Sequence, residues 1–210
     1  MTESEVLDLL QKVGAFRAGH FVFTSGLHSD SYVNKDALYP YTHDTSKLCK
    51  VMAERFKDKD IEVVVGPTMG AAILAQLVAY HLSEMTGREV YGVYADKTDD
   101  GGFIIKRGYD KFITRKRVLV VEDVLTTGGS VRKVIEEVRK YGGTVVGLGV
   151  LCNRGGITKE HVGAPRFESL VNVILDSWEP ETCELCARGI PVNTDVGHGK
   201  DFLANKANKA

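Results

Sequence analysis

A chain of 210 residues is long enough to bury one full core and too short for two large independent domains. Its 27 basic and 28 acidic side chains leave a formal net charge of -1, so no global field draws it onto nucleic acid and any anionic ligand must be gripped locally. Ordinary apolar, glycine and proline contents exclude collagen, disorder and a disulfide scaffold, no apolar run is long enough for a membrane span, and the acidic start Met1 to Leu10 lacks a secretion-signal pattern. The expectation is a folded cytoplasmic protein with neither nucleic-acid nor membrane partners.

Glu3 to Val13 carries Val6, Leu9, Leu10 and Val13 at helical spacing before Gly14 ends the run. Phe21 to Val33 has two aromatic or β-branched runs around a Ser, Gly and Asp cluster, the pattern of two short strands and a turn. From about Thr42 a helix with Leu48, Met52 and Phe56 leads to a strand at Glu62 to Val65, the loop Gly66-Pro67-Thr68-Met69-Gly70 and an Ala-rich helix to about Glu84. A strand at Val90 to Ala95, a flexible or hairpin segment at Gly101 to Gly108 and a buried strand at Arg117 to Val121 follow. Glu122 to Ser130 reads as a loop and Val131 to Tyr141 as a helix, with strands at Thr144 to Leu151 and Val171 to Leu175 and a frayed tail from Lys200. Apolar strands alternating with amphipathic helices predict an α/β fold, a parallel sheet flanked by helices that binds ligands at its carboxyl edge. One domain is expected, with residues 1–41 as a small N-terminal lobe, 42–180 as the core and 181–210 as a C-terminal extension.

The chemistry concentrates in Val118 to Ser130, VLVVEDVLTTGGS. A buried strand delivers adjacent carboxylates, Glu122 and Asp123, to the sheet edge; Val124 and Leu125 follow, and Thr126-Thr127-Gly128-Gly129-Ser130 opens a helix. Glycines allow a ligand close to the backbone, while successive amides and the helix N-terminus favour a phosphate dianion. Paired acids beside a phosphate would repel it unless they face sugar hydroxyls or Mg²⁺. The combination suits a phosphorylated sugar. TTGGS by itself reads rather as a plain strand-to-helix turn with Ser130 as N-cap, and only the whole segment points to the ligand.

This stretch resembles the signature for phosphoribosyl pyrophosphate (PRPP) of type I phosphoribosyltransferases, and the order of elements resembles that fold over most of the chain. The resemblance implies that Glu122 and Asp123 take the ribose hydroxyls and Thr126 to Ser130 the 5-phosphate, with Thr68, Met69 and Gly70 approaching pyrophosphate through the backbone. Lys97, Lys106 and Arg107 would serve the leaving group from a loop that Gly101 and Gly102 let close, although each alone could be a solvated hairpin charge. Mg²⁺ would be bound mainly through PRPP, and a homodimer is implied in which that loop completes the partner's site.

The N-terminal GHFVFTSGLHSDSYVNK resembles the base-covering lobe of the orotate phosphoribosyltransferases, which implies Tyr32 and Val33 against the pyrimidine and Thr126 and Arg154 on orotate. A guanidinium suits orotate because it grips a planar carboxylate with two parallel bonds; without the resemblance, Arg154 would read as a solvated loop charge. The pattern departs from the enteric-type enzymes, with Thr24 in place of a Lys and no His in Asp96 to Arg107, and is closer to a shorter-looped, Thermus-type branch. Rival expectations are a purine or other base as acceptor, and a PRPP-sensing regulator without catalysis. Of four cysteines only Cys183 and Cys186 form a pattern, read as two ordinary thiols rather than half a zinc site that His198 might join. His20 is uninformative as sequence; His28, His43, His81 and His161 read as surface or capping residues, and Trp178 as packing.

Overall fold

Two stretches of consecutive apolar residues build the centre of the molecule, because a strand buried on both faces needs no polar alternation. The computed structural model describes residues 1–207, with side chains through residue 205. In chain order the elements are α1 (Glu3–Lys12), β1 (Phe16–Val22), β2 (His28–Val33), α2 (Thr42–Phe56), β3 (Val63–Pro67), α3 (Gly70–Thr86), β4 (Tyr91–Lys97) and β5 (Phe103–Ile104). They continue with α4 (Asp110–Ile113), β6 (Arg117–Leu125), α5 (Gly129–Lys140), β7 (Thr144–Asn153), α6 (Lys159–Val162), β8 (Phe167–Asn172), β9 (Ser177–Trp178), α7 (Glu184–Ala187) and α8 (Gly199–Ala207).

The main sheet has the order β5-β4-β3-β6-β7-β8, parallel throughout except for the antiparallel edge strand β5. Period-two alternation divides its side chains between two cores. Val64, Leu119 and Val121 face the layer of α1, α2 and α3, where Leu48, Met52, Phe56 and Leu74 are packed. Val63, Val65, Val118 and Val120 face Val131, Val134, Ile135 and Val138 of α5. Each such fully buried aliphatic side chain contributes about 1.5–3 kcal/mol, so the sheet is the rigid platform of the site.

The chain moves from β3 to β4 in one direction and then returns to place β6 on the other flank of β3. That reversal opens a crevice at the carboxyl ends of β3 and β6, the position at which doubly wound sheets bind ligands. A smaller antiparallel sheet, β1-β2-β9, stands above it. Helix α1 does not share that small sheet's packing alone: Val6, Leu9 and Leu10 belong to the main core with Leu48 and Met52.

Three sequence expectations need correction. The strand at Arg117 runs four residues beyond Val121, through Glu122 and Asp123 to Leu125, because its parallel pairing with β7 continues to Leu125↔Asn153. The expected frayed tail is helical over Gly199–Ala207, with Phe202 packed edge-on against His28; residues 208–210 lie outside the described part. His28 is neither a surface nor a capping residue, being fully buried, whereas His161 does cap α6 through Thr158. No described helix is long and apolar enough to cross a membrane.

Candidate functional site

Because β6 stays in the sheet through the acidic pair, both carboxylates are buried, Glu122 to 7% exposure and Asp123 to 3%. Such groups need partners. Glu122 accepts the Asp123 amide at 3.1 Å, and Asp123 Oδ1 accepts the Val124 amide at 2.7 Å. Asp123 Oδ2 accepts the Tyr39 hydroxyl at 2.8 Å and lies 3.0 Å from the Lys35 ammonium. Burial, and then the charge of Asp123, push the Glu122 carboxyl up to about 8. Burial also raises the Tyr39 hydroxyl, reinforced by Asp123, and keeps it a hydrogen-bond donor. For Lys35 burial acts against the charge, but Asp123 outweighs it and holds the ammonium above its ordinary value.

The β3 loop closes on the same carboxylate. Thr68 Oγ1 accepts the Lys97 amide at 3.2 Å, and α3 starts at Gly70, where a Cβ would run into the Asp123 carboxylate and the Tyr39 hydroxyl. Only glycine lets the two loops meet there.

After Leu125 the chain leaves the sheet, and α5 begins at Gly129 with Gly128 as N-cap at φ +76°. A side chain at Gly128 would be strained by that φ and would also meet Val162 of α6 at 2.8 Å. Ser130 therefore lies inside the first turn, and the simple N-cap reading of it fails. Val124 to Val131, with Glu122, enclose a hollow of about 130 Å³ at the start of a twelve-residue helix, where unpaired first-turn amides and the helix dipole favour an anion. Leu125 borders this hollow although it is a core residue.

A second, larger cleft of about 660 Å³ adjoins the first, the two sharing Val124 and Thr126. Phe23, Tyr32, Arg154 and Asp123 line it. Arg154 Nε donates to Thr126 Oγ1 at 2.8 Å, and its guanidinium stands 5.7 Å from the centre of the Phe23 ring. Tyr32 stacks on Phe21 with ring centres 5.4 Å apart. From the far end of the chain come Gly197 and His198, the latter paired with Thr24 at 3.1 Å.

The fold thus brings Glu122, Asp123, Val124, Thr126 to Ser130, Arg154, Tyr32 and Val33 to two joined hollows, with Gly70 against Asp123. Lys97, Lys106 and Arg107 line neither; all three are exposed, and Arg107 faces Asp96 at 3.7 Å. Lys35, Tyr39, Phe23 and His198 escaped the sequence reading. Lys35 closes the quoted N-terminal stretch and could have been weighed as the charge a buried Asp requires; Tyr39 and His198 carry no local signal.

These features have counterparts in known proteins. The family model for the phosphoribosyl transferase domain matches residues 45–178. Orotate phosphoribosyltransferases from Pelotomaculum thermopropionicum and Desulforamulus reducens are 41% and 38% identical, each alignment covering 91% of this chain and 95% of the relative. The crystal structure of orotate phosphoribosyltransferase from Aeropyrum pernix superposes with a TM-score of 0.63 at 26% identity, covering 80% of this chain and 93% of that one. With its acidic strand end, the hollow at the start of α5 and near full-length relatives, the chain belongs to the phosphoribosyltransferase family, among the orotate phosphoribosyltransferases.

Proposed function

We propose that the protein transfers ribose 5-phosphate from PRPP to orotate, yielding orotidine 5'-phosphate and pyrophosphate in pyrimidine synthesis. The observation that carries the choice of base is the Arg154 to Thr126 bond at the junction of the two hollows. It fixes a guanidinium beside the aromatic wall of the larger cleft, suited to a flat ring bearing a carboxylate.

Phosphate held by Thr126 to Ser130 sets the ribose across Glu122 and Asp123, which accept hydrogen bonds from its hydroxyls, while Arg154 and Tyr32 orient the base. The attacking ring nitrogen, as an anion, forms its bond to C1 of the ribose as the bond from C1 to the pyrophosphate oxygen breaks, and that electron pair leaves with pyrophosphate. Positive charge builds on the sugar ring, as in glycoside cleavage. Asp123, beside the Lys35 ammonium, is assigned to stabilising that charge, and alignment of the two reactants supplies much of the remaining acceleration.

The hard oxygen donors at the strand end fit a magnesium ion only partially, since Asp123 is already committed to Tyr39, Lys35 and an amide. This favours Mg²⁺ arriving on the diphosphate of PRPP, where it neutralises charge on the leaving group. Lys97, Lys106 and Arg107 are assigned to pyrophosphate on a loop whose Gly101 carbonyl rests on Lys133 at 2.6 Å. Their position outside this chain's own hollows supports a homodimer in which they serve the partner's site.

Mixing protein, Mg²⁺, PRPP and orotate should deplete the orotate absorbance. No depletion, with turnover of a purine instead, would overturn the choice of base; PRPP binding without any turnover would make the chain a regulator.

A further inference from the structure

The two thiols read as ordinary from sequence are not alone. Cys183 caps α7 and Cys186 lies one turn on, and both face His20 and His28, which are 2% and 0% exposed. His198, the histidine considered for this role, is elsewhere, between Thr24 and Asp201. His20 owes its position to an irregularity in β1: the register with β2 shifts between Ala18 and Phe21, a bulge of the kind that re-aims a side chain.

From these residues we propose a structural zinc site of the Cys₂His₂ type that staples the C-terminal extension to the β1–β2 hairpin. One ligand atom from each residue falls within a sphere where all four lie within 4.8 Å of one another. Cys183 Sγ is 3.5 Å from His20 Nε2, Cys186 Sγ is 3.8 Å from it, and Cys186 Sγ is 3.4 Å from His28 Nδ1. A tetrahedron with bonds of about 2.3 Å to sulfur and about 2.0–2.1 Å to nitrogen has edges of roughly 3.3–3.8 Å. Three of the four sulfur-to-nitrogen edges already match. The His20 to His28 edge, at 2.8 Å, has to open by about half an ångström for the ion to enter.

Tautomer chemistry points the same way. His20 Nδ1 lies 2.7 Å from the Ile190 carbonyl, which can only accept, so Nδ1 carries the proton and Nε2 turns its lone pair to the cluster. Metal-bound imidazoles are oriented in this way by the groups behind them. Two thiolates with two imidazoles select zinc over magnesium or calcium, and four protein ligands leave no open position for catalysis.

The staple joins segments 163 residues apart in sequence. Beyond it, the Asn193 amide donates to the His20 carbonyl at 2.7 Å and the His198 amide to the Val22 carbonyl at 2.9 Å, which leads Gly197 and His198 into the larger cleft. The metal would therefore hold one wall of the proposed base cleft in place. That consequence rests on the orotate reading, whereas the metal site itself does not.

The full chain, produced in zinc-supplemented medium and kept reduced, is assayed for bound metal by elemental analysis, and for geometry by the charge-transfer spectrum of its Co²⁺-exchanged form. We expect about one zinc per chain and a tetrahedral thiolate spectrum. In Cys186→Ser, whose site reaches the surface, zinc affinity should fall by about 10- to 100-fold or more while the helical content stays. Wild-type protein that takes up neither zinc nor cobalt overturns the proposal, as does a Cys186→Ser protein holding zinc as tightly as wild type. Chelation should raise KM for orotate several-fold more than KM for PRPP; bound zinc whose removal moves neither keeps the site and overturns its link to the cleft.

Discussion

Replacing Arg154 with Ala probes the feature on which the choice of base depends. Its Nε is committed to Thr126 Oγ1, so the two terminal nitrogens are those left to meet a carboxylate end-on. Hydrogen bonds to a charged group contribute about 1.5–3 kcal/mol each when desolvated. Arg154 is half-buried beside an open cleft, so water replaces part of that contact, and the total loss for both bonds should fall below the desolvated sum of about 3 kcal/mol, at about 2 kcal/mol. That corresponds to a rise of about 30-fold in KM for orotate. PRPP contacts are assigned to the other hollow, and its KM should move by less than about threefold. Arg154→Lys keeps the charge but loses the fork and the bond from Nε, so it should recover only part of the loss. Steady-state kinetics with each substrate varied in turn, beside circular dichroism to verify folding, decide the matter. Equal increases in both KM values, or an unchanged KM for orotate, would refute the assignment of Arg154 to the carboxylate.

Further outcomes follow from the buried acids and their neighbours. The Glu122 carboxyl is raised to about 8, well above its value in an unfolded chain, so the folded state holds a proton that the unfolded state has released. Its contribution to stability is complete below the unfolded pKa and is lost as pH rises through about 8, so the Tm of wild type should decline relative to Glu122→Gln across that interval. Parallel Tm profiles for the two proteins would show that burial does not perturb the group. Gly70→Ala should displace the Asp123 carboxylate and lower kcat/KM for PRPP by about 100-fold with secondary structure retained, since small misplacements at a reacting centre have effects of that size; normal turnover would separate Gly70 from the site.

The sheet, its order of strands and helices, and the hollow at the start of α5 were legible because each is written locally, as runs such as Val118 to Val121 and as glycines that open a helix. Glu122 and Asp123 looked like the end of a strand because buried charge is rare, and nothing local reveals that β7 carries matching pairing partners as far as Asn153. Arg154 and Thr126 could be proposed only through family resemblance, since 28 residues and the whole of α5 separate two groups in direct contact. Lys35 and Tyr39 meet Asp123 from 88 and 84 positions earlier in the chain, with no local pattern to announce the contact. His20 and His28 were missed for a different reason: their spacing follows the register of a hairpin, and their sulfur neighbours come from the opposite terminus.

The small sheet β1-β2-β9 has one more consequence. The smaller hollow is formed by one continuous stretch with Glu122, whereas much of the larger cleft's wall comes from the two terminal parts of the chain, at residues 23–36 and 175–198. Exchanging residues 23–33 or 175–198 would therefore reshape the larger cleft without altering the stretch that forms the smaller one, whereas Lys35 has to stay because it pairs with Asp123.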